Sequence, residues 1–159
     1  MLTKACQIAI RSMLYLTLHS GASFVSTREI GERLCESTHF VAKILHQLSS
    51  AGLVRSYRGP NGGVALARKA ERITIQQVID AMDGRRAAEQ CVLGNQDCSA
   101  ENPCALHEHW APIRERIQLS VYNHSLAQVA GRLAPKSTEK LKSTRPAHDQ
   151  LRQKTTKSL

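Results

Sequence analysis

Three cysteines, Cys91, Cys98 and Cys104, share one short stretch, and His107 follows the last of them at the third position. Thiolates bind iron–sulfur clusters, zinc and copper(I), and each of these needs several sulfurs converging from a flexible loop. The spacing Cys-x6-Cys-x5-Cys-x2-His lacks the two close Cys pairs from which structural zinc sites are usually built. Its wide gaps, containing Gly94, Asn95 and Asn102, let one loop wrap around a larger object, as a cluster demands. Cys104 and His107 stand one turn apart if that segment is helical, so both can face the same metal. Zinc and metal-free thiols are the competing readings of the same residues. Cys6 and Cys35, in or beside apolar segments, read as small buried hydrophobes, while His39, His46 and His109 read as surface groups.

The surrounding chain sets the conditions for that chemistry. Lys4 is followed by an apolar pattern interrupted at Gln7 and Arg11, unlike a signal peptide, and no apolar stretch has transmembrane length. A cytoplasmic protein without a membrane partner is expected, in which cysteines are reduced, catalytic or metal-bound rather than paired in a disulfide framework. The net charge of +9 favours a polyanionic partner. More than half of it sits in the tail, where Pro135 to Leu159 carry seven Lys/Arg against two acids. The rest is only mildly basic, so DNA binding has to be argued from motifs.

Those motifs precede the cysteines. Gln7 to His19, with Ile8, Ile10, Met13, Leu14, Leu16 and Leu18, suits a largely buried helix ending at Gly21. Ser26-Thr27-Arg28-Glu29 has capping-box spacing and starts a second helix to about Leu34. Ser37 caps a third, whose Val41, Ile44, Leu45 and Leu48 fall at i, i+3, i+4 and i+7 and leave Thr38, His39, Lys43, His46 and Gln47 outside. Two helices joined this closely make a helix-turn-helix. Strands from Leu53 to Arg58 and Val64 to Leu66, flanking Gly59-Pro60-Asn61-Gly62-Gly63, make a wing. On this reading Thr38, His39 and Lys43 meet base edges. Arg28, Ser37, Arg55 and Arg58 hold phosphates, with Gly59 and Asn61 in the wing turn beside them.

Thr74, with Gln77 three residues on, begins a fourth helix with Val78, Ile79 and Met82 inward. Beyond the cysteines, Leu106, Trp110, Ile113, Ile117 and Val121 form the sticky stripe of a long helix, a candidate dimer seam, with Pro112 in its first turn or at a kink. A short helix, Leu126 to Leu133, follows. The fold class is mainly α with a small β wing. Its parts are a winged helix-turn-helix DNA-binding domain over 1–83, a cysteine loop over 84–104, a dimerisation helix and short terminal helix over 105–134, and a basic tail over 135–159 expected to be disordered.

Leu2-Thr3-Lys4 before the first helix, the capped helix-turn-helix, the wing Arg58-Gly59-Pro60-Asn61-Gly62-Gly63, the capped helix after Ile73 and the three cysteines before Trp110 together resemble the Rrf-type winged-helix regulators. The resemblance spans about residues 1 to 133. It implies a homodimer crossing over through the long helix, a palindromic operator in double-stranded DNA, and one iron–sulfur cluster per subunit on Cys91, Cys98 and Cys104. In the cluster-assembly branch His107 matches the histidine ligand of a [2Fe–2S] cluster. In part of the nitric-oxide-sensitive branch an acid from the partner's first helix completes a [4Fe–4S] cluster. Ala5-Cys6-Gln7-Ile8 offers no such acid, which favours [2Fe–2S] and leaves [4Fe–4S] as the alternative.

The expectation is therefore a transcriptional repressor, not an enzyme, whose operator affinity responds to iron–sulfur status, oxidative stress or nitric oxide. A thiol-switch or zinc-stabilised regulator in the same fold is the principal alternative. A small electron-transfer protein would use the same ligands but would need no helix-turn-helix.

Overall fold

The computed structural model describes residues 2–19, 24–59, 62–84 and 90–133. Thr3 opens the fold: its hydroxyl accepts from the Cys6 N–H and caps α1, Lys4–Leu18. The Thr3 N–H and hydroxyl in turn donate to the two carboxylate oxygens of Asp83, at 3.0 and 2.5 Å. That tie explains why α1 starts a turn earlier than its apolar pattern suggests. The expected stop at Gly21 lies outside the described residues.

α2, Thr27–Leu34, and α3, Thr38–Ser50, are the helix-turn-helix. Ser26 and Ser37 cap them by accepting from the N–H groups of Glu29 and Phe40. The return arm of the expected Ser26 box is not made, because the Glu29 carboxylate instead accepts from the Tyr15 hydroxyl at 2.8 Å, pinning α2 to α1. Ile30 and Leu34 of α2 and Val41, Ile44, Leu45 and Leu48 of α3 are buried. Each such side chain contributes roughly 1.5–3 kcal/mol on burial, so the amphipathic pattern of α3 outweighs any local propensity in fixing its orientation.

Strand β1, Val54–Tyr57, pairs antiparallel with β2, Gly63–Leu66, in the register Val54↔Leu66 to Tyr57↔Gly63. Val25 adds a bridge to Val64 on the far side. A Cβ at Gly63 would land on the Val25 carbonyl, so only glycine admits this third crossing of backbone.

After a 3-10 turn at Ala70–Arg72 comes α4, Ile75–Asp83, with both arms of the Thr74/Gln77 capping box made. α5, His107–Ile117, carries Pro112 in its second turn and continues as a π-helical stretch, Gln118–Tyr122. α6, Leu126–Gly131, has its own complete capping box from Ser125 and Gln128. It returns to the body: Leu126 N–H donates to Ile73 O at 2.8 Å, Ile75 N–H to His124 O at 3.0 Å, and Leu126 is wholly buried. The result is the expected mainly helical fold with a two-stranded wing. None of its described helices is long and apolar enough to cross a membrane.

Candidate metal centre and DNA-reading face

From residue 90 to the foot of α5 the cysteine segment is shaped by its own polar side chains. Gly94, with φ 73, closes a turn in which its N–H donates to Cys91 O at 2.9 Å. Asn95 Oδ1 accepts from the Asp97 N–H, Ser99 Oγ accepts from the Asn102 N–H, and the Asn102 side chain donates to Asp97 O. The indole of Trp110 donates to Gln90 O at 2.9 Å, so α5 holds the residue that enters Cys91.

These constraints bring the three sulfurs together. One ligand atom each from Cys91, Cys98 and Cys104 lies within 4.8 Å of the others. Cys91 Sγ and Cys104 Sγ are 3.4 Å apart. His107 joins through one partner, its Nδ1 standing 3.2 Å from Cys98 Sγ. Cys104 lies in the turn before α5 and His107 is its first residue, linked by the His107 N–H to Cys104 O bond of 3.0 Å.

Electrostatics favour a thiolate here. Backbone hydrogen bonding at Leu93, aided by Asn95 and by the Cys104 and Cys98 thiols, brings Cys91 down to about 7 against the cost of desolvation. Cys104 goes the other way. Backbone hydrogen bonding at Leu106 favours its thiolate, but desolvation and the neighbouring Cys91 and Cys98 leave it above its usual value. Cys91 thus favours its thiolate while Cys104 beside it holds its proton, and a bound cation would favour the charged form of both. Three soft donors at one point fit an iron–sulfur or other thiolate-bound centre.

The remaining cysteines separate. Cys6 is fully buried as expected, and burial, with Asp83 beside it, pushes its thiol up to about 12. Cys35 corrects the expectation of a buried hydrophobe: it is exposed, in the left-handed conformation at φ 56, as the C-cap of α2. The tight turn between α2 and α3 uses its backbone, and its side chain is turned out.

Away from the cysteines in sequence, Thr38, His39 and Lys43 are exposed along the first two turns of α3, with Ser37 engaged as its cap. Arg28 is exposed and paired with Glu32 at 2.8 Å, a pair a phosphate would have to outcompete. Arg55 rests 5.0 Å over the ring of Phe24, which stacks on Tyr57. Arg58 and Gly59 are exposed at the wing, and Asn61 lies outside the described residues. The metal centre and this face do not share residues. Three contacts carry no signal of periodicity: Asp83 to Thr3, Trp110 to Gln90, and Gln47, which is exposed on α3 as its position predicts but whose amide also donates to Ala81 O. The position of the chain's one tryptophan just after the cysteines was the nearest hint.

The chain matches the family model Rrf2, "Iron-dependent Transcriptional regulator", over residues 2–132. The HTH-type transcriptional regulator IscR of Yersinia pseudotuberculosis is 34% identical over 128 residues, covering 80% of this chain and 77% of that one. Among solved structures, the global cysteine regulator CymR of B. subtilis superimposes with a TM-score of 0.69 at 22% identity, over 82% of this chain and 96% of its own. IscR of T. potens superimposes with a TM-score of 0.63 at 22% identity, over 94% and 96%. At such identities the two structures speak for the winged-helix fold alone.

Proposed function

The chain belongs to the Rrf2 family of transcriptional regulators, and from that premise we propose that it is a cytoplasmic repressor whose affinity for a palindromic operator is set by an iron–sulfur cluster on Cys91, Cys98 and Cys104. Its relatives are regulators, not enzymes. The observation that carries the reading is the convergence of three thiols within 4.8 Å at the foot of α5, on a body that presents a capped helix-turn-helix. A bound cluster would supply a group that oxygen, nitric oxide or iron scarcity can damage or remove.

The residues divide the work. Cys91, Cys98 and Cys104 hold the group, and the proximity of His107 Nδ1 to Cys98 supports His107 as the fourth ligand of a [2Fe–2S] cluster. A [4Fe–4S] cluster is the alternative. Thr38, His39 and Lys43 read base edges in the major groove, while Arg28, Ser37, Arg55, Arg58, Gly59 and Asn61 fix the register on the backbone. A homodimer is supported by α5, of which no residue is buried, and by Leu106, Ile113 and Val121, 41%, 51% and 50% exposed. Covering each of the three would contribute roughly 1.5–3 kcal/mol. Holding the three thiolates together fixes the loop against α5, and through α5 the separation of two recognition helices, which must match half-sites about one DNA turn apart.

The test is the visible spectrum with iron and acid-labile sulfide assays on protein purified without oxygen, followed by operator binding before and after cluster removal. Two irons and two sulfides per chain support the His107-completed site, and replacing the three cysteines by alanine abolishes the difference in binding. A colourless chain that resists reconstitution, or an unchanged response in that variant, overturns the reading. One observation favours a second reading, a thiol switch: Cys91 Sγ and Cys104 Sγ stand 3.4 Å apart. There, two thiols give two protons and two electrons to a peroxide, which leaves as water, and a disulfide forms. Such a protein is colourless and two mass units lighter after oxidation.

A further inference from the structure

Gln47 sits on the DNA-reading side of α3, in a shallow groove with His39, Ala42, Lys43, His46 and Ser50. Its amide nevertheless turns towards the protein. Nε2 donates to Ala81 O at 2.8 Å and reaches Met82 O at 3.4 Å. These carbonyls belong to the last turn of α4, where helix geometry provides no further N–H donor. The chain leaves α4 at Gly84 with φ 87 and ψ 156, so a side chain from another helix does the capping.

α4 is also where the far end of α5 arrives. The π-helical stretch Gln118–Tyr122 packs against it, and Tyr122 is half-buried there, held above its usual value by burial and by Cys6 and Asp83 nearby. Asp83 in turn holds the N-cap of α1 through Thr3. At its near end α5 begins with His107, bonded to Cys104 O. Packed elements therefore lead from the thiol trio along α5 onto α4, and from α4 to the recognition helix, which packs directly on α4 and is also tied to its last turn by the Gln47 amide. The five-residue π stretch at the far end of α5 is a rare helical irregularity, of a kind frequent at functional sites.

We propose that Gln47 is a positioning residue: it ties the DNA-reading helix to the last turn of α4, so that a displacement of α5 arising at Cys104 and His107 moves Lys43 and His46 with it. This rests on the reading of the chain as a regulator controlled at its cysteines. If α4 shifts, α3 must follow, or two carbonyls lose their donor. Coupling between sites exists only where both ends bias the same element, and the last turn of α4 is that element.

The experiment measures operator affinity of the full chain, iron–sulfur-loaded and metal-free, for wild type, Gln47→Met and Gln47→Lys. Methionine keeps the length and loses the donor; lysine restores a donor. Hydrogen exchange over residues 78–84 of the metal-free protein is followed in parallel. The ratio of the two affinities, the tighter form over the weaker, is expected to fall about fivefold towards one in Gln47→Met, the worth of one net hydrogen bond, and to recover in Gln47→Lys. Exchange at the end of α4 is expected to quicken in Gln47→Met alone. An unchanged ratio in Gln47→Met beside a wild-type ratio well above one overturns the role of Gln47 and leaves the regulator reading standing. A wild-type ratio of one overturns that reading, and this proposal with it.

Discussion

The indole Nε1 of Trp110 donates a 2.9 Å hydrogen bond to the carbonyl of Gln90, the residue before Cys91. Trp110 stands one turn into α5, the helix that follows Cys104 and begins with His107. One bond therefore ties the entrance of the thiol loop to its exit. Partners of this kind, which orient ligands without touching the metal, typically tune metal affinity 10–100-fold. Trp110→Phe keeps an aromatic ring and removes the donor. Iron should be lost to a chelator about tenfold faster, with the three cysteines intact; an unchanged rate of loss would show that the loop needs no such anchor.

α5 buries none of its residues, and Ile113 at its centre is 51% exposed. In a dimer seamed there, Ile113→Arg places a charge where apolar surface has to be covered, at a cost well above the gain from any one neighbour. The variant should run as a monomer in light scattering. Operator affinity should fall by a factor of about 100 or more, since two linked half-site contacts become one. A variant that keeps the mass of the wild-type dimer would put the seam elsewhere.

Much of this organisation is legible in the chain because it is local. Val41, Ile44, Leu45 and Leu48 announce α3 by spacing, Ser37 and Thr74 announce helix starts by short hydroxyl side chains, and the paired glycines announce the wing. The grouping of Cys91, Cys98 and Cys104 is equally local, since one loop supplies all three sulfurs. What escapes a linear reading is polar and long-range. Glu29 has capping spacing with Ser26 but bonds to Tyr15, fourteen residues earlier, and Gln47 has the periodicity of an outer-face residue but bonds to α4. Such contacts have no period, because a single amide or carboxylate follows whichever unpaired group the packing brings near. Cys35 departs from its apolar surroundings for a related reason: the turn between α2 and α3 demands a left-handed residue, and its neighbours' hydrophobicity says nothing of that.

Cys6 gives a pH dependence with a definite sign. Burial first, then Asp83, raises its thiol from 9.0 to about 12. Between those values the folded chain keeps a proton that the unfolded chain releases, so stability conferred at Cys6 is whole below pH 9 and is lost as pH rises towards 12. Melting temperatures taken from pH 8 to 11 should fall more steeply for wild type than for Cys6→Ala, whose other titrating groups are the same. Parallel curves would mean that Cys6 ionises in the folded state as easily as in the unfolded one.

The two kinds of DNA contact expected of Lys43 and Arg58 respond differently to salt and to sequence, which allows each to be tested without a structure of the complex. Both side chains are exposed, Lys43 on the second turn of α3 and Arg58 where β1 enters the wing. A phosphate contact releases condensed counterions whatever the sequence. Arg58→Ala should therefore weaken operator and random DNA alike and reduce the slope of log affinity against log salt by about 0.9. A base-edge contact carries discrimination instead. Lys43→Ala should lose about 1–3 kcal/mol of preference at one base pair of each half-site, with a far smaller change on random DNA. If Lys43→Ala instead weakens both DNAs equally, Lys43 holds the backbone, and base reading passes to Thr38 and His39 at the start of the same helix.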